Sequence, residues 1–144
     1  MCTKRTAGIL SLVSIAVLLG ASGCSTLHKS NSATLQGTWK GQELGASQDS
    51  PRCLVISGKD IDYRGADSRD WAKGTFALRE DTQPKQLVLT ITECGVPKYI
   101  GKTSYAIYQI EDGTLTLTGN EPGYPAGPTS FEAPGTRRFV LKKK

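Results

Sequence analysis

Residues 103–118 read TSYAIYQIEDGTLTLT, and this stretch decides the fold. Both of its halves have the period of a β-strand rather than that of a helix, most plainly where threonine and leucine alternate along 114–118. The halves meet at Asp112-Gly113, a dipeptide that favours the tight turn of an antiparallel hairpin. The stretch therefore predicts two paired strands.

The same pattern continues on both sides of this hairpin, with Gly74 marking a bend or bulge in one segment. Further strands are predicted at 35–41, 53–57, 61–64, 71–78, 86–94 and 138–142. Eight strands in sequential hairpins predict an all-β domain that closes into an antiparallel up-and-down barrel, which removes the exposed sheet edges. A two-sheet β-sandwich is the alternative fold.

The amino-terminal segment has the layout of an export signal, with Lys4 and Arg5 ahead of an apolar run at 9–19. Small residues and then Cys24 follow the run, and this ending resembles the lipobox of bacterial lipoproteins. We expect a helical signal peptide at 1–23, a lipidated tether at 24–34 and a barrel domain at 35–144. A plain secretory signal that is cut nearby is the alternative.

The lipobox resemblance also implies a location and a partner. Cys24 would carry the lipid that attaches the protein to a membrane, and Ser25 stands where aspartate is the usual mark for retention at the inner membrane. We therefore expect a lipid-anchored envelope protein of the outer membrane that faces the periplasm.

Two cysteines remain in the domain once Cys2 leaves with the signal and Cys24 carries lipid. Outside the cytoplasm, Cys53 and Cys94 are most simply explained as one disulfide. Two buried thiols are the alternative. A metal site is not expected, because two thiols without a nearby histidine fall short of the four ligands of structural zinc.

Composition argues against catalysis and against nucleic-acid binding. The single histidine, His28, lies in the tether, so no Ser-His or Cys-His pair is expected in the domain. The formal net charge is +5, but the terminal lysines 142–144 are not interleaved with aromatic residues. No phosphate loop or haem motif is present, so we expect a protein that is not an enzyme and has no cofactor.

Several segments resemble lipocalins. Gly37-Thr38-Trp39 is similar to the G-x-W that opens the first lipocalin strand, and 103–108 is similar to the second lipocalin motif. The chain from 35 to 143 also resembles a family of small secreted lipocalin-like domains, common in planctomycetes and related bacteria, whose function is not settled. The resembling segments are 35–40, 74–76 followed by 84–85, 101–103 followed by 107–108, 112–115, 128–131 and 139–142.

This resemblance implies a binding domain. Trp39 would close one barrel end, with Arg137 or Arg138 packed over its ring. The expected ligand is a small apolar or amphipathic molecule, and the aromatic residues predicted to contact it are Tyr63, Phe76, Tyr99 and Tyr105. Since side chains alone can fill an eight-stranded barrel, a filled core is nevertheless expected rather than a cavity.

The long segment 119–136 is rich in proline and glycine and gives a second functional hypothesis. Such a loop either displays Tyr124 and Phe131 as anchors for a periplasmic protein or forms a stiff cover over the barrel. In the first case the domain is a protein-binding module, such as an inhibitor of a periplasmic enzyme.

Overall fold

The computed structural model describes residues 31–46 and 51–144. A short helix, α1, is followed by eight strands: α1 (Asn31–Leu35), β1 (Gly37–Glu43), β2 (Arg52–Ser57), β3 (Asp60–Arg64), β4 (Trp71–Arg79), β5 (Gln86–Cys94), β6 (Thr103–Glu111), β7 (Thr114–Gly119) and β8 (Arg137–Lys143). A single 3₁₀ turn, Pro97–Tyr99, lies between β5 and β6. The predicted signal peptide, Cys24 and the first part of the predicted tether lie outside the described residues.

The strands form one closed antiparallel barrel in sequence order. Each strand pairs with the next, and β1 pairs with β8 to complete the ring. The predicted up-and-down barrel is confirmed, and the β-sandwich alternative is wrong. No helix in the described ranges has the length and hydropathy needed to cross a membrane.

Local sequence accounts for the turns between strands. Asp112 and Gly113 have φ angles of 49° and 71°, as the two central residues of a tight hairpin turn require. The register of β4 against β5 shifts between Lys73 and Gly74, which confirms the predicted bulge. A Cβ atom at Gly74 would lie 2.0 Å from the carbonyl oxygen of Thr90, so only glycine fits there.

One end of the barrel is closed by α1 and a packed core. Leu35 and Trp39 are 0% and 1% exposed, and the Trp39 Nε1–H donates to the Leu35 carbonyl oxygen at 2.7 Å. Tyr108 packs in the same cluster. Residues 31–35 are thus a helical plug, whereas the sequence predicted an extended tether that ends in the first strand.

The cation over Trp39 is Lys143, whose Nζ lies 5.2 Å from the ring centroid. The prediction that Arg137 or Arg138 packs there is wrong. Antiparallel pairing sets Trp39 opposite Lys143, at the end of β8, whereas Arg137 begins that strand. Six residues of strand separate the two positions by about 20 Å.

The predicted disulfide is also wrong, because Cys53 and Cys94 are both free thiols. They lie on β2 and β5, with β3 and β4 between them. Strand spacing separates their Cα atoms by on the order of 10 to 14 Å, whereas a disulfide needs less than about 7 Å. Cys53 follows the outward phase of β2, next to the buried Leu54, while Cys94 pairs with a residue that lines the interior.

The segment 120–136 covers part of the outer face of the barrel. Beneath it, Ile107 and Thr118 are both 0% exposed, although they lie on the outward phase of β6 and β7. The Thr118 hydroxyl donates to the Phe131 carbonyl oxygen at 3.4 Å, and Pro128 is buried. This segment is therefore an ordered cover over much of its length.

Candidate functional site

A cavity of about 480 Å³ occupies the half of the barrel opposite the plug. It opens at the end where β1, β3, β5 and β7 finish, and we call this opening the mouth. The wall is mainly apolar, and its aliphatic and aromatic side chains are Leu54, Ile61, Tyr63, Leu87, Leu89, Ile91, Tyr99, Leu117, Phe139 and Leu141. This size and lining suit a small apolar molecule.

Small residues on the inner face create the cavity. Ala72, Ser104, Ala106 and Gly119 line it from β4, β6 and β7, where larger side chains would meet in the centre. The closed half instead contains Trp39, Phe76 and other large side chains, and it is packed. The expectation of a filled interior is therefore wrong for the half near the mouth.

The four aromatic residues predicted to contact a ligand separate into two pairs. Tyr63 and Tyr99 line the cavity. Phe76 is 7% exposed and belongs to the packed core cluster. Tyr105 lies on the outer face of β6, between the inward-facing Ser104 and Ala106. The covering segment passes close to it there, since a Cβ atom added at Gly127 would lie 3.3 Å from the Tyr105 Cβ.

A second hollow of about 410 Å³ adjoins the cavity at the mouth. It shares Tyr63, Tyr99 and Arg137 with the cavity wall and extends between the 65–70 loop and the 3₁₀ turn. The Cys94 thiol, which donates to the Val96 carbonyl oxygen at 3.0 Å, lines this hollow. The two spaces together form a side opening to the interior.

A network of ion pairs crosses the mouth. The Arg137 guanidinium donates to both Glu43 oxygens at 2.7 Å, and to the Asp70 oxygens at 2.8 and 2.9 Å. Arg52, which is 4% exposed, forms a second ion pair with Glu43 at 3.0 Å. The Tyr63 hydroxyl donates to Asp70 and accepts from Arg137. The network joins β1, β2, β3, β8 and the 65–70 loop.

The network shifts the titration of its members. Hydrogen bonds from Arg137 lower the pKa of Glu43 below its ordinary value of 4.5. Burial would raise the pKa of Asp70, but hydrogen bonds from Arg137 and its charge outweigh burial and lower it below 3.8. Burial raises the pKa of Tyr63. Both carboxylates are therefore ionised at neutral pH, and the Tyr63 hydroxyl keeps its proton.

We expect stability to fall in acid because of these two carboxylates. A group whose pKa is lowered by folding stabilises the protein above its unfolded pKa, and this contribution is lost as pH falls through the folded value. We expect the free energy of unfolding to drop by about 1 to 2 kcal/mol between about pH 5 and pH 3, a modest figure since Arg137 is half exposed. Urea unfolding at each pH measures this, and an Arg137→Met variant with an equally steep drop would contradict it.

Several residues of the site were not singled out from the sequence. The strand period places Leu87, Leu89 and Ile91 on one face of the segment 86–94, but whether that face points inward depends on register. Glu43 and Arg52 flank the loop between β1 and β2 and have no sequence pattern that marks them. Their pairing with Arg137 appears only once β1, β2 and β8 are neighbours.

The two predicted loop anchors differ in exposure. Tyr124 is 61% exposed, whereas Phe131 is partly buried in the cover over β7. Leu44 and Ile100 are also exposed, on other loops at the mouth. No group of three or more metal-binding side chains is found in the part of the chain that the structure describes.

Comparison with family models, with curated proteins and with solved structures yields no match to this chain.

Proposed function

We propose that this protein is a lipid-anchored envelope protein whose barrel binds a small apolar or amphipathic molecule without catalysing a reaction. The observation that carries the proposal is the cavity of about 480 Å³ with its mainly apolar wall and open mouth. Binding sites for small molecules are typically concave, largely apolar and preformed, with few polar groups. The lipocalin-like order of the strands agrees with this use.

The helix α1, with which the first described range begins, and the mouth lie at opposite ends of the barrel. The chain reaches the domain through α1, which is part of the closed end next to Trp39 and Lys143. An acyl group on Cys24 would therefore hold the closed end toward the membrane. We propose that the mouth faces away from the anchoring outer membrane, into the periplasm.

Probe binding tests the cavity. The exported Cys24→Ser protein has no acyl chain to compete for the site, and we expect it to increase the fluorescence of N-phenyl-1-naphthylamine with one-to-one stoichiometry. Leu89→Trp fills the cavity from β5 and should abolish the increase. Thr90→Trp, the matched control, adds the same ring to the exposed face of the same strand and should leave it unchanged. Equal binding by both variants would contradict the proposal.

The anchor needs a separate test. Wild-type protein should incorporate labelled palmitate and sediment with membranes, and Cys24→Ser should do neither. A Cys24→Ser protein that stays on the membrane, together with a wild type that takes up no label, would rule out lipidation.

A protein partner is the second candidate function, and the exposed Tyr124 is the observation that favours it. Tyr124, Leu44 and Ile100 are exposed apolar side chains on loops at the mouth, and aromatic residues are enriched at the centres of protein interfaces. Tyr124→Ala tests it better than loop deletion, because deletion would uncover Ile107 and Thr118. A stoichiometric periplasmic partner that is lost with Tyr124→Ala but retained with Thr90→Trp would support the protein-binding module.

A further inference from the structure

The polar side chains that line the cavity are already bonded to other parts of the protein. Cys53 also borders the cavity, but it follows the outward phase of β2. The other polar residues of the wall are Arg52, Tyr63, Tyr99, Ser104, Asn120, Glu121 and Arg137. Each of the seven has a partner within the described residues, so the wall offers a ligand mainly hydrocarbon.

The two arginines do not form an anion site. Arg137 directs its guanidinium N–H groups at Glu43, Asp70 and the Tyr63 hydroxyl, and its pairing with each carboxylate uses two N–H···O contacts. Arg52 is paired with Glu43. Two cations thus face two carboxylates, and the formal charge of the network is zero.

The neutral groups along the rest of the mouth are used in a similar way. The Ser104 hydroxyl donates to the Asn120 carbonyl oxygen at 3.0 Å, and the Asn120 amide donates to the Ala126 carbonyl oxygen at 2.6 Å. The Tyr99 hydroxyl is hydrogen-bonded to Glu121, which also pairs with Lys98. These bonds hold the 120–136 segment and the 3₁₀ turn in place rather than aim donors at the cavity.

We propose that the cavity takes an uncharged, predominantly aliphatic molecule and discriminates against molecules that carry a carboxylate, phosphate or ammonium group. This inference rests on the proposed function and narrows its ligand class. An anionic head group would have to draw Arg137 away from Asp70, whose side chain is only 18% exposed, or from Glu43, which would keep only its pair with Arg52. A cationic head group would have to compete with Arg137 for Glu43 and Asp70, or with Lys98 for Glu121.

The test compares head groups on one hydrocarbon chain. Decanol, decanoate and decylammonium, each below its micelle concentration at pH 7, compete with N-phenyl-1-naphthylamine for the exported Cys24→Ser protein. We expect decanol to bind at least about tenfold more tightly than either ion, since an unpaired buried charge is strongly unfavourable. Decanol should also bind about fourfold more tightly than nonanol, because each buried methylene adds a constant increment.

A variant of the ion-pair network should change which head group the cavity prefers, and this gives a second test. Glu43→Gln removes one carboxylate, which leaves the network with a net positive charge and Arg137 with donors to spare. We expect decanoate to gain about tenfold in affinity while decanol changes little. If Glu43→Gln does not fold, Asp70→Asn makes the same change from the other side of Arg137.

The outcomes separate this inference from the function on which it rests. If decanoate or decylammonium binds as tightly as decanol, the preference for uncharged ligands is wrong, but the proposed binding of a small apolar or amphipathic molecule is unaffected. Failure of decanol to compete while the probe still binds would overturn the preference for uncharged ligands as well. If the folded protein does not bind the probe at all, the proposed binding of small molecules by the barrel is itself wrong.

Discussion

Trp39→Ala is expected to lower the free energy of unfolding by about 3 to 5 kcal/mol, which is a large fraction of the roughly 5 to 15 kcal/mol that stabilises a typical domain. Trp39 is 1% exposed, and its removal would open a large cavity where α1 meets the barrel. The variant also loses the hydrogen bond from Nε1 to the Leu35 carbonyl oxygen and the contact with the Lys143 ammonium. Urea unfolding followed by circular dichroism measures the loss.

Trp71→Ala is the matched control, since the chain has two tryptophans. Trp71 begins β4 on the outer face, where the Arg64 guanidinium lies 5.1 Å from its ring centroid. Because Trp71 is only partly buried, we expect this control to lose about 1 to 2 kcal/mol, well below the loss expected for Trp39→Ala. Similar losses in the two variants would mean that Trp39 does not secure the closed end.

Strand positions were predictable because the side-chain period and the turn residues are local properties. The β5 boundaries were predicted as 86–94, and the structure has them at Gln86–Cys94. The Asp112-Gly113 turn and the Gly74 bulge also follow from single residues. The start of the domain was less predictable, because Leu35 fits the alternation of β1 but lies in α1, where it is buried in the plug.

The cavity depends on register, which sequence period alone does not supply. Ala72, Ser104, Ala106 and Gly119 come from three strands, and nothing in the order of the chain shows that they line one cavity. Once the pairing is known, these small residues explain why the half near the mouth is hollow. Tyr105 was predicted to contact the ligand but lies on the outer face of β6, because a shift of one residue in register moves a side chain to the other face of the sheet.

The two wrong pairings have a common cause. The disulfide was inferred from the export signal and the number of cysteines, and the contact of Arg137 or Arg138 with Trp39 was inferred from the lipocalin resemblance. Neither inference contained the distance between strands. The barrel sets Cys53 and Cys94 three strands apart, and it sets Arg137 at the mouth rather than beside Trp39.

Arg137→Met is expected to lower the free energy of unfolding at pH 7 by about 2 to 3 kcal/mol. Methionine keeps much of the apolar stem over Phe139 and removes the charge, so the loss reports on the network. Glu43 retains its pair with Arg52, so the cost falls mainly on Asp70, whose side chain is 18% exposed. The exposure of Arg137 itself, 46%, keeps the expected loss below that of a fully buried pair.

Two further variants show whether this loss comes from an unpaired charge. Arg138→Met removes the neighbouring arginine, whose partner Glu132 is 73% exposed, and should lower the free energy of unfolding by less than about 1 kcal/mol. Arg137→Met combined with Asp70→Asn removes the carboxylate that Arg137→Met alone leaves without its cation, and it should recover more than half of the single-variant loss. If the double variant is no more stable than Arg137→Met alone, the arginine stabilises the mouth through its contacts with Tyr63 and Phe139 rather than through charge. If the double variant does recover stability, the mouth is stabilised by the neutral ion-pair network. The same pairing of its charged groups with one another leaves the cavity with a mainly apolar wall.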